Sequence, residues 1–223
     1  MMRKQFTFLL LALLGLVPLT AQTQRPFEPE IRAFERVDSI EKPAQGQILL
    51  YGSSTMRLWN TYQADLAGHQ VVNRGFGGSQ MSDAVYYFDR VVLPLKPSWI
   101  LLYEGDNDLN SGKSPEQVFA DYQTFMKLVK EKLPKTKVAI YTLRPSLARE
   151  NRMPQQRQLH AFFKKYARKH RKKAYFIDAY QLLLTPEGRP NGDYLVEDKL
   201  HLNAKGYRVW TQVTRDFLKK QGL

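Results

Sequence analysis

Two separated polar segments contain the residue types of a serine nucleophile and its base. The sequence GSS at residues 52–54 follows an apolar run, and DKLH at residues 198–201 lies near the C-terminus. A carboxylate such as Asp198, three residues before the imidazole of His201, can hold Nδ1–H and leave Nε2 free to accept a proton from a hydroxyl. These residue types are the ones that acyl transfer through a serine uses. The adjacent hydroxyls of Ser53 and Ser54 are chemically equivalent at this stage, and a simple helix cap is the structural alternative for both.

Two further polar loops could supply hydrogen-bond donors to such a reaction. The sequence NRGFGGS at residues 73–79 contains glycines that let a substrate approach backbone N–H groups closely. Its spacing is not that of the dinucleotide-binding fingerprint, and a plain turn is the alternative. The sequence EGDND at residues 104–108 places a carboxamide among carboxylates after another apolar run. The polar density of the second loop indicates a site, whereas the first loop stays open between a site and a plain turn.

The elements that must position these loops alternate along the chain. Short apolar runs predict five strands, and amphipathic segments between them predict helices. The strands are expected at 48–51, 71–72, 99–103, 138–141 and 175–177, and the helices at 79–91, 115–132, 154–172 and 204–219. Such alternation predicts an α/β fold, a three-layer α/β/α sandwich around a five-stranded parallel sheet. Because ligands bind at the carboxyl ends of such strands, the polar loops should meet at one edge.

The N-terminus has the pattern of a secretory signal peptide. Basic Arg3 and Lys4 precede an apolar run at residues 8–19, and small residues at 20–21 precede polar Gln22. The run is shorter than the roughly 20 residues that span a bilayer, which disfavours a retained membrane helix. We expect cleavage near Ala21 and export to the periplasm or beyond the cell.

The chain length of 223 residues predicts one domain after this leader. We expect residues 1–21 to form the signal peptide, residues 22–46 a tether and a helix near 29–39, and residues 47–223 the main domain.

Charge and cysteine content restrict the chemistry and the partners. The chain has no cysteine, which excludes disulfides and thiolate catalysis. Its net charge of +13 favours anionic surroundings, and much of the excess lies at residues 164–173. No nucleic-acid-binding motif accompanies this basic run, so we interpret it as a solvated helix face and expect no nucleic-acid partner. No stable membrane insertion is expected, and the sequence does not indicate an oligomeric state.

Four ordered blocks together resemble those of the SGNH hydrolase, or GDSL-like lipase and acylhydrolase, family. They are the GSS sequence at 52–54, N-x-G-x-x-G at 73–78, G-x-N-D at 105–108 and D-x-x-H at 198–201. The resemblance implies a flavodoxin-like fold and hydrolysis without a cofactor or a metal. It also implies roles for individual residues: Ser54 as nucleophile, Asp198 and His201 as the other triad members, and an oxyanion hole made by the N–H groups of Ser54 and Gly78 and the Asn107 side chain. The family's usual first block is Gly-Asp-Ser, and Ser53 stands at its middle position here.

The expected activity is that of a serine esterase acting on short acyl groups, such as acetyl, on a carbohydrate or another polar carrier. No long apolar lid segment lies between the blocks, which disfavours a long-chain lipase. A lysophospholipase or an enzyme like platelet-activating-factor acetylhydrolase is the alternative within this class. A non-catalytic carbohydrate- or lipid-binding module and a metal-dependent phosphoesterase are alternatives from other classes.

Other residues near the predicted loops are weaker candidates. Five are expected to line the substrate pocket: Arg57, Trp59, Phe76, Arg144 and Arg152. The remaining histidines, His69, His160 and His170, have no carboxylate at comparable spacing and are expected to be structural or solvated.

Overall fold

A five-stranded parallel sheet forms the centre of the computed structural model, which describes residues 26–223. The signal-peptide prediction lies outside the described residues. The strand order is β2-β1-β3-β4-β5, as in flavodoxin-like folds, and the predicted three-layer α/β/α architecture is confirmed. The strands are β1 (Ile48–Gly52), β2 (Val71–Gly75), β3 (Trp99–Tyr103), β4 (Lys137–Tyr141) and β5 (Ala174–Ile177).

Nine α-helices lie within the described part of the chain. Within residues 26–223, none of them is long and apolar enough to cross a membrane. They are α1 (Glu28–Ile40), α2 (Ser54–Arg57), α3 (Tyr62–Asp65), α4 (Met81–Tyr86), α5 (Phe88–Val91), α6 (Asp106–Asn110), α7 (Pro115–Lys132), α8 (Met153–Lys169) and α9 (Ala204–Lys220).

Helices cover both faces of the sheet, which explains why β1 and β3 are uniformly apolar and fully buried. On one face, Tyr51 of β1 donates its hydroxyl to the Ala84 carbonyl of α4 at 3.0 Å and stacks on Phe125 of α7. On the other face, Trp210 of α9 stacks on Tyr141 of β4, with 4.5 Å between ring centroids. Aromatic side chains therefore pack among the aliphatic core residues on both faces of the sheet.

Helix α9 also fixes the position of α2. The Tyr207 hydroxyl donates to the Thr55 carbonyl at 2.9 Å, and the Tyr207 ring stacks on Trp59. Because α9 follows directly after residues 198–201 and α2 begins at Ser54, this packing holds two distant parts of the sequence together at one sheet edge.

Two predicted helices differ from the observed ones. The predicted helix over residues 79–91 is divided into α4 and α5 at Tyr87, where the backbone leaves helical geometry (φ −87°, ψ 5°). The Tyr87 side chain is buried and donates to the Pro26 carbonyl at 2.5 Å, so tertiary contacts determine the break. Helix α8 ends at Lys169, before the predicted 172, because residues 170–173 form a turn into β5.

Gly52 brings the ends of β1 and β3 into close contact. Its φ is +129°, and a Cβ atom there would lie 2.0 Å from the Tyr103 carbonyl oxygen. The next residue, Ser53, donates its backbone N–H to that same oxygen at 3.1 Å. A residue with a side chain cannot occupy this position without moving β3, so the glycine sets where the following serines begin.

Candidate active site

Ser54, His201 and Asp198 form a continuous hydrogen-bonded chain. The Ser54 Oγ lies 2.9 Å from His201 Nε2, and His201 Nδ1 lies 2.6 Å from Asp198 Oδ2. Ser54 is partly exposed at the start of α2, whereas Ser53 is buried at 2% exposure. The geometry therefore distinguishes the two serines: the hydroxyl of Ser54 can transfer its proton to the imidazole.

A tight chain reversal orients Asp198 toward the imidazole. The Val196 N–H donates to the His201 carbonyl at 2.9 Å, and Lys199 adopts a positive φ of 56° within the reversal. The second carboxylate oxygen, Asp198 Oδ1, accepts the backbone N–H groups of Leu200 and His201 at 2.8 and 2.9 Å. Both carboxylate oxygens are thus used to fix the local conformation and the ring.

These hydrogen bonds stabilise the ionised form of Asp198. Partial desolvation raises its pKa, but the hydrogen bonds from the His201 ring and from the two backbone N–H groups outweigh this and lower the pKa to about 2. The group is therefore a carboxylate at neutral pH. It can hold the Nδ1–H tautomer and stabilise an imidazolium.

The loops after β2 and β3 are bonded to each other beside Ser54. Gly78 has a φ of +89°, and the next carbonyl, that of Ser79, accepts the Asn107 side-chain N–H at 2.8 Å. The buried Asp108 carboxylate accepts the Met81 N–H at 3.0 Å. The structure thereby holds Gly78 and Asn107 in one assembly at the carboxyl edge of the sheet, and their roles as oxyanion donors stay predictions.

A buried carboxyl group supports this assembly. Glu104 is fully buried, and burial together with the charge of Asp108 raises its pKa well above the usual range. Its Oε1 lies 2.5 Å from Ser79 Oγ, which is also 2.9 Å from the Phe76 carbonyl. The serine has one proton to donate, so both contacts are hydrogen bonds when Glu104 is protonated and donates to Ser79. Neutral Glu104 therefore holds the glycine-containing loop at residues 73–79 in position through its hydrogen bond with Ser79.

The sequence did not reveal the role of Arg149. Its guanidinium donates to Asp106 Oδ2 at 2.5 Å and to Asn107 Oδ1 at 3.0 Å. Arg144 also contacts Asp106, at 3.2 Å. Arg149 lies far from Asn107 along the chain in a 3₁₀ segment, Leu147–Arg152, and no local pattern distinguishes it from its basic neighbours.

The comparison with known families agrees with this site. The model of the GDSL-like Lipase/Acylhydrolase family matches residues 45–209. The chain belongs to this family. It is accordingly a hydrolase of ester bonds, and the family resemblance predicted from the four blocks is confirmed.

Solved structures of similar fold come from several organisms, at identities that establish the fold alone. A GDSL-like lipase from Bacteroides thetaiotaomicron has a TM-score of 0.74 at 18% identity, covering 86% of this chain and 98% of its own. A proposed acylhydrolase from Bacteroides fragilis has a TM-score of 0.73 at 22% identity, with coverages of 85% and 95%. A carbohydrate esterase of family 3 from Talaromyces cellulolyticus has a TM-score of 0.63 at 16% identity, with coverages of 79% and 98%. A comparison with curated protein sequences gave no match.

Three of the five predicted pocket residues of this GDSL-like hydrolase are buried, and the prediction that they line the pocket is wrong. Trp59 and Phe76 are fully buried in the core, and Arg144 is 2% exposed and bound to Asp106. Their large side chains satisfy packing and hydrogen bonds behind the site. The other two, Arg57 and Arg152, retain exposed surface and stay predictions.

The remaining histidines do not join the triad. His160 is buried, and its Nε2 accepts the Leu143 N–H at 2.8 Å. His69 is partly exposed and His170 is exposed. Within residues 26–223, no three His, Cys, Asp or Glu side chains converge in a way that could hold a metal ion.

The buried His160 predicts how the stability of the hydrolase depends on pH. Burial, with a smaller contribution from Arg157, lowers its pKa to about 3, so the imidazole is neutral in the folded protein. As the pH falls, the unfolded chain binds a proton at this histidine near pH 6.5, whereas the folded protein does so only near pH 3. The free energy of unfolding is therefore highest above pH 6.5 and decreases as the pH falls toward 3. We expect the free energy of unfolding to drop across this window by up to about 4–5 kcal/mol from His160 alone.

Urea unfolding at several pH values measures this effect. His160→Gln keeps an acceptor for the Leu143 N–H and should remove most of the His160 contribution to the slope, whereas the exposed His170→Gln should leave the slope unchanged. Equal slopes for the wild type and His160→Gln would contradict the assignment.

Proposed function

We propose that the protein is an exported serine esterase that removes short acyl groups, such as acetyl, from a carbohydrate or another polar carrier. The observation that carries this proposal is the hydrogen-bonded chain from Ser54 through His201 to Asp198. A chain of a hydroxyl, an imidazole and a carboxylate supports acyl transfer through Ser54.

The reaction proceeds through an acyl-enzyme. The Ser54 Oγ attacks the ester carbonyl carbon while His201 Nε2 takes the hydroxyl proton, and the carbonyl oxygen gains the negative charge. The N–H groups of Ser54 and Gly78 and the Asn107 side chain hold that oxygen. Collapse breaks the bond to the alcohol, which leaves with the proton from His201. Water, deprotonated by His201, then releases the acid and restores Ser54.

The openness of the site supports a polar carrier. The side chain of Asp198 is 46% exposed and that of His201 is 24% exposed, so solvent reaches the triad from one side. A carbohydrate can remain hydrated at such an edge while only its acyl group enters. The carbohydrate esterase among the structures of similar fold agrees with this choice. The GDSL-like lipase among them keeps a lipid ester as the second candidate.

Export rests on the N-terminal sequence. Its basic start, apolar run and small residues before Gln22 match a secretory signal peptide. Amino-terminal sequencing of the protein recovered from cells tests this point directly: a mature start near residue 22 is expected, and a retained Met1 would contradict export by this route.

Hydrolysis of p-nitrophenyl acetate, butyrate and decanoate by the purified protein tests the activity and the acyl preference. We expect the acetate to be cleaved most efficiently and EDTA to have no effect. Acetylated and lyso-phospholipid substrates, assayed in parallel, compare the two candidate carriers. Preference for the decanoate and the lipid would contradict the proposed specificity, and loss of activity in EDTA would indicate a metal-dependent reaction.

Removal of the Asn107 carboxamide should slow the chemical step. Asn107→Ala deletes one of three oxyanion donors, and we expect kcat to fall by about 10²–10³ while KM changes little. Asn110→Ala, an exposed asparagine at the end of the same helix, provides the matched control. Steady-state kinetics on p-nitrophenyl acetate distinguish the two, and equal activity of both variants would remove Asn107 from the oxyanion hole.

A further inference from the structure

The 3₁₀ segment Leu147–Arg152 connects the two sides of the site. Its Ala148 N–H donates to the Lys199 carbonyl at 3.0 Å, within the reversal that holds Asp198 and His201. The neighbouring Arg149 reaches the opposite loop and contacts Asp106 and Asn107. A single short segment is therefore bonded both to the triad loop and to the residue predicted to hold the oxyanion.

The contacts of Asn107 define the orientation of its carboxamide. Arg149 can only donate, so the atom it contacts at 3.0 Å is the Asn107 oxygen. The Ser79 carbonyl can only accept, so the atom it contacts at 2.8 Å is the nitrogen. Among the described residues, these two contacts leave one side-chain N–H of Asn107 without a partner, and they fix the plane of the amide. A flipped amide would place its NH₂ group against the Arg149 donor and its oxygen against the Ser79 carbonyl oxygen.

The charges beside Asn107 do not cancel. The side chains of Arg144, Arg149 and Asp106 are 2%, 12% and 3% exposed. Gln156 donates to the other Asp106 oxygen at 3.1 Å, and no second carboxylate contacts either arginine among the described residues. The cluster thus carries one excess positive charge in a poorly solvated region, where electrostatic interactions are strong.

We propose that Arg149 is a positioning residue that holds the free side-chain N–H of Asn107 toward the oxyanion. The positive charge of Arg149 also makes this N–H a stronger donor. This role rests on the proposed esterase activity. Without the Arg149 guanidinium, Asn107 is held only by the Ser79 carbonyl and its amide plane is less restricted, so the loss appears in the chemical step rather than in substrate binding.

A double-mutant cycle on the neutral substrate p-nitrophenyl acetate tests this role. We expect Arg149→Met to lower kcat by about 10–100-fold with little change in KM, and Arg149→Lys to recover part of the loss because it keeps one charged donor. In the Asn107→Ala background, Arg149→Met should cost less than about threefold, since both substitutions remove the same interaction. Arg189→Met is the matched control, because Arg189 pairs with Glu150 of the same segment and contacts neither Asn107 nor Asp106.

The outcomes separate this role from the activity itself. Full activity of Arg149→Met, additive losses in the double variant, or a loss confined to KM would each overturn the positioning role while the esterase assignment stands. An inactive wild type, folded by circular dichroism, would overturn the proposed function and this role together.

A second inference concerns a basic groove on α7 and α8, at the edge of the sheet where the strands begin. Its floor is apolar, formed by residues such as Met126, Leu133 and Tyr166, and its volume is about 570 Å³. An adjoining groove of about 370 Å³ shares Tyr166 and His170 and adds Phe119 and Phe162, with one carboxylate, Glu116, and two lysines, Lys165 and Lys169, in its lining. Phe119, Phe162 and Tyr166 are half-buried and leave aromatic surface open between the two helices, whereas Met126 and Leu133 are buried beneath them.

Exposed cations surround this basic groove, and all of them except Lys127, which pairs with Glu131, lack a salt bridge within the described residues. Residues 164–173 contain seven lysines and arginines and no carboxylate, all seven are exposed, and none of them forms a salt bridge within the described part of the chain. Lys127 and Lys130 of α7 line its other side. The triad lies at the opposite edge, where the strands end.

We propose that the basic groove docks on the surface of a bilayer that contains anionic phospholipids. The cations contact the phosphate groups of the lipids. The apolar floor favours a lipid surface over a soluble polyanion, because a polyanion would interact with the charges alone. In this orientation the triad faces away from the membrane and stays accessible to polar substrates.

Sedimentation with vesicles of phosphatidylglycerol and phosphatidylcholine, compared with phosphatidylcholine alone, tests this docking. We expect binding to the anionic vesicles only, and a loss of about tenfold or more for Lys165→Glu/Lys169→Glu, with esterase activity unchanged. Arg32→Glu/Arg36→Glu on α1 makes the same change of charge elsewhere and should bind like the wild type. Equal binding by both double variants, or binding to dextran sulfate as tight as to the anionic vesicles, would overturn the proposal.

Discussion

Ser54→Ala is expected to lower kcat by about 10⁵–10⁶, the largest effect of any single substitution in the protein. The methyl group cannot attack a carbonyl or form an acyl-enzyme, so the remaining rate reflects only the oxyanion donors and substrate binding. Folding should be unaffected, because Ser54 is partly exposed and its hydroxyl contacts only the His201 ring among the described side chains. Initial rates on p-nitrophenyl acetate, together with the melting temperature, measure both points.

Ser53→Ala is the matched control for this substitution. Ser53 lies one residue earlier, is buried, and contributes its backbone rather than its side chain to the contact with Tyr103. We expect its activity to remain within about tenfold of wild type, since a buried hydroxyl behind the site can be lost at modest cost. An inactive Ser53→Ala beside an active Ser54→Ala would reverse the assignment of the nucleophile.

Asp198→Asn is expected to lower kcat by on the order of 10⁴. The amide oxygen can still accept the backbone N–H groups of Leu200 and His201, so the chain reversal should persist. An amide N–H facing the ring favours the tautomer that carries its proton on Nε2, and that nitrogen then cannot accept the Ser54 proton. The imidazolium that forms during attack also loses its counter-charge.

Glu197→Gln tests whether charge in this loop matters in general. Glu197 precedes Asp198 and is exposed, and neutralising it should change kcat by less than about twofold. Because Asp198 has a pKa of about 2, its ionisation does not limit the rate between pH 4 and 9, and the deficit of Asp198→Asn should persist across that range. A deficit that disappears with rising pH would argue against a role for the carboxylate in orienting the ring.

The fold, and the hydrogen-bonded chain of Ser54, His201 and Asp198, could be predicted from patterns in the sequence. Uniformly apolar runs of four and five residues indicated β1 and β3, since strands buried on both faces have no polar positions. The Asp198 and His201 pair was recognisable because one short reversal contains both residues. Four ordered blocks then related Ser54 to this pair, which lies 147 positions away along the chain.

The features that the sequence did not reveal depend on tertiary contacts. The division between α4 and α5 follows from the burial of Tyr87, which periodicity does not contain. Trp59 and Phe76 lie close in sequence to the reactive loops, and proximity along the chain does not show which way a side chain points. Arg149 contacts Asn107 only because the segments after β3 and β4 meet at the sheet edge.

Labelling with a fluorophosphonate, followed by fragmentation of the modified peptide, tests the central claim most directly. An activated serine displaces fluoride and keeps the phosphonyl group, so the adduct identifies the nucleophile without a natural substrate. We predict one adduct per chain on Ser54, with labelling abolished in Ser54→Ala and in His201→Ala. An adduct on Ser53, or efficient ester hydrolysis by a protein that the reagent neither modifies nor inhibits, would contradict the account.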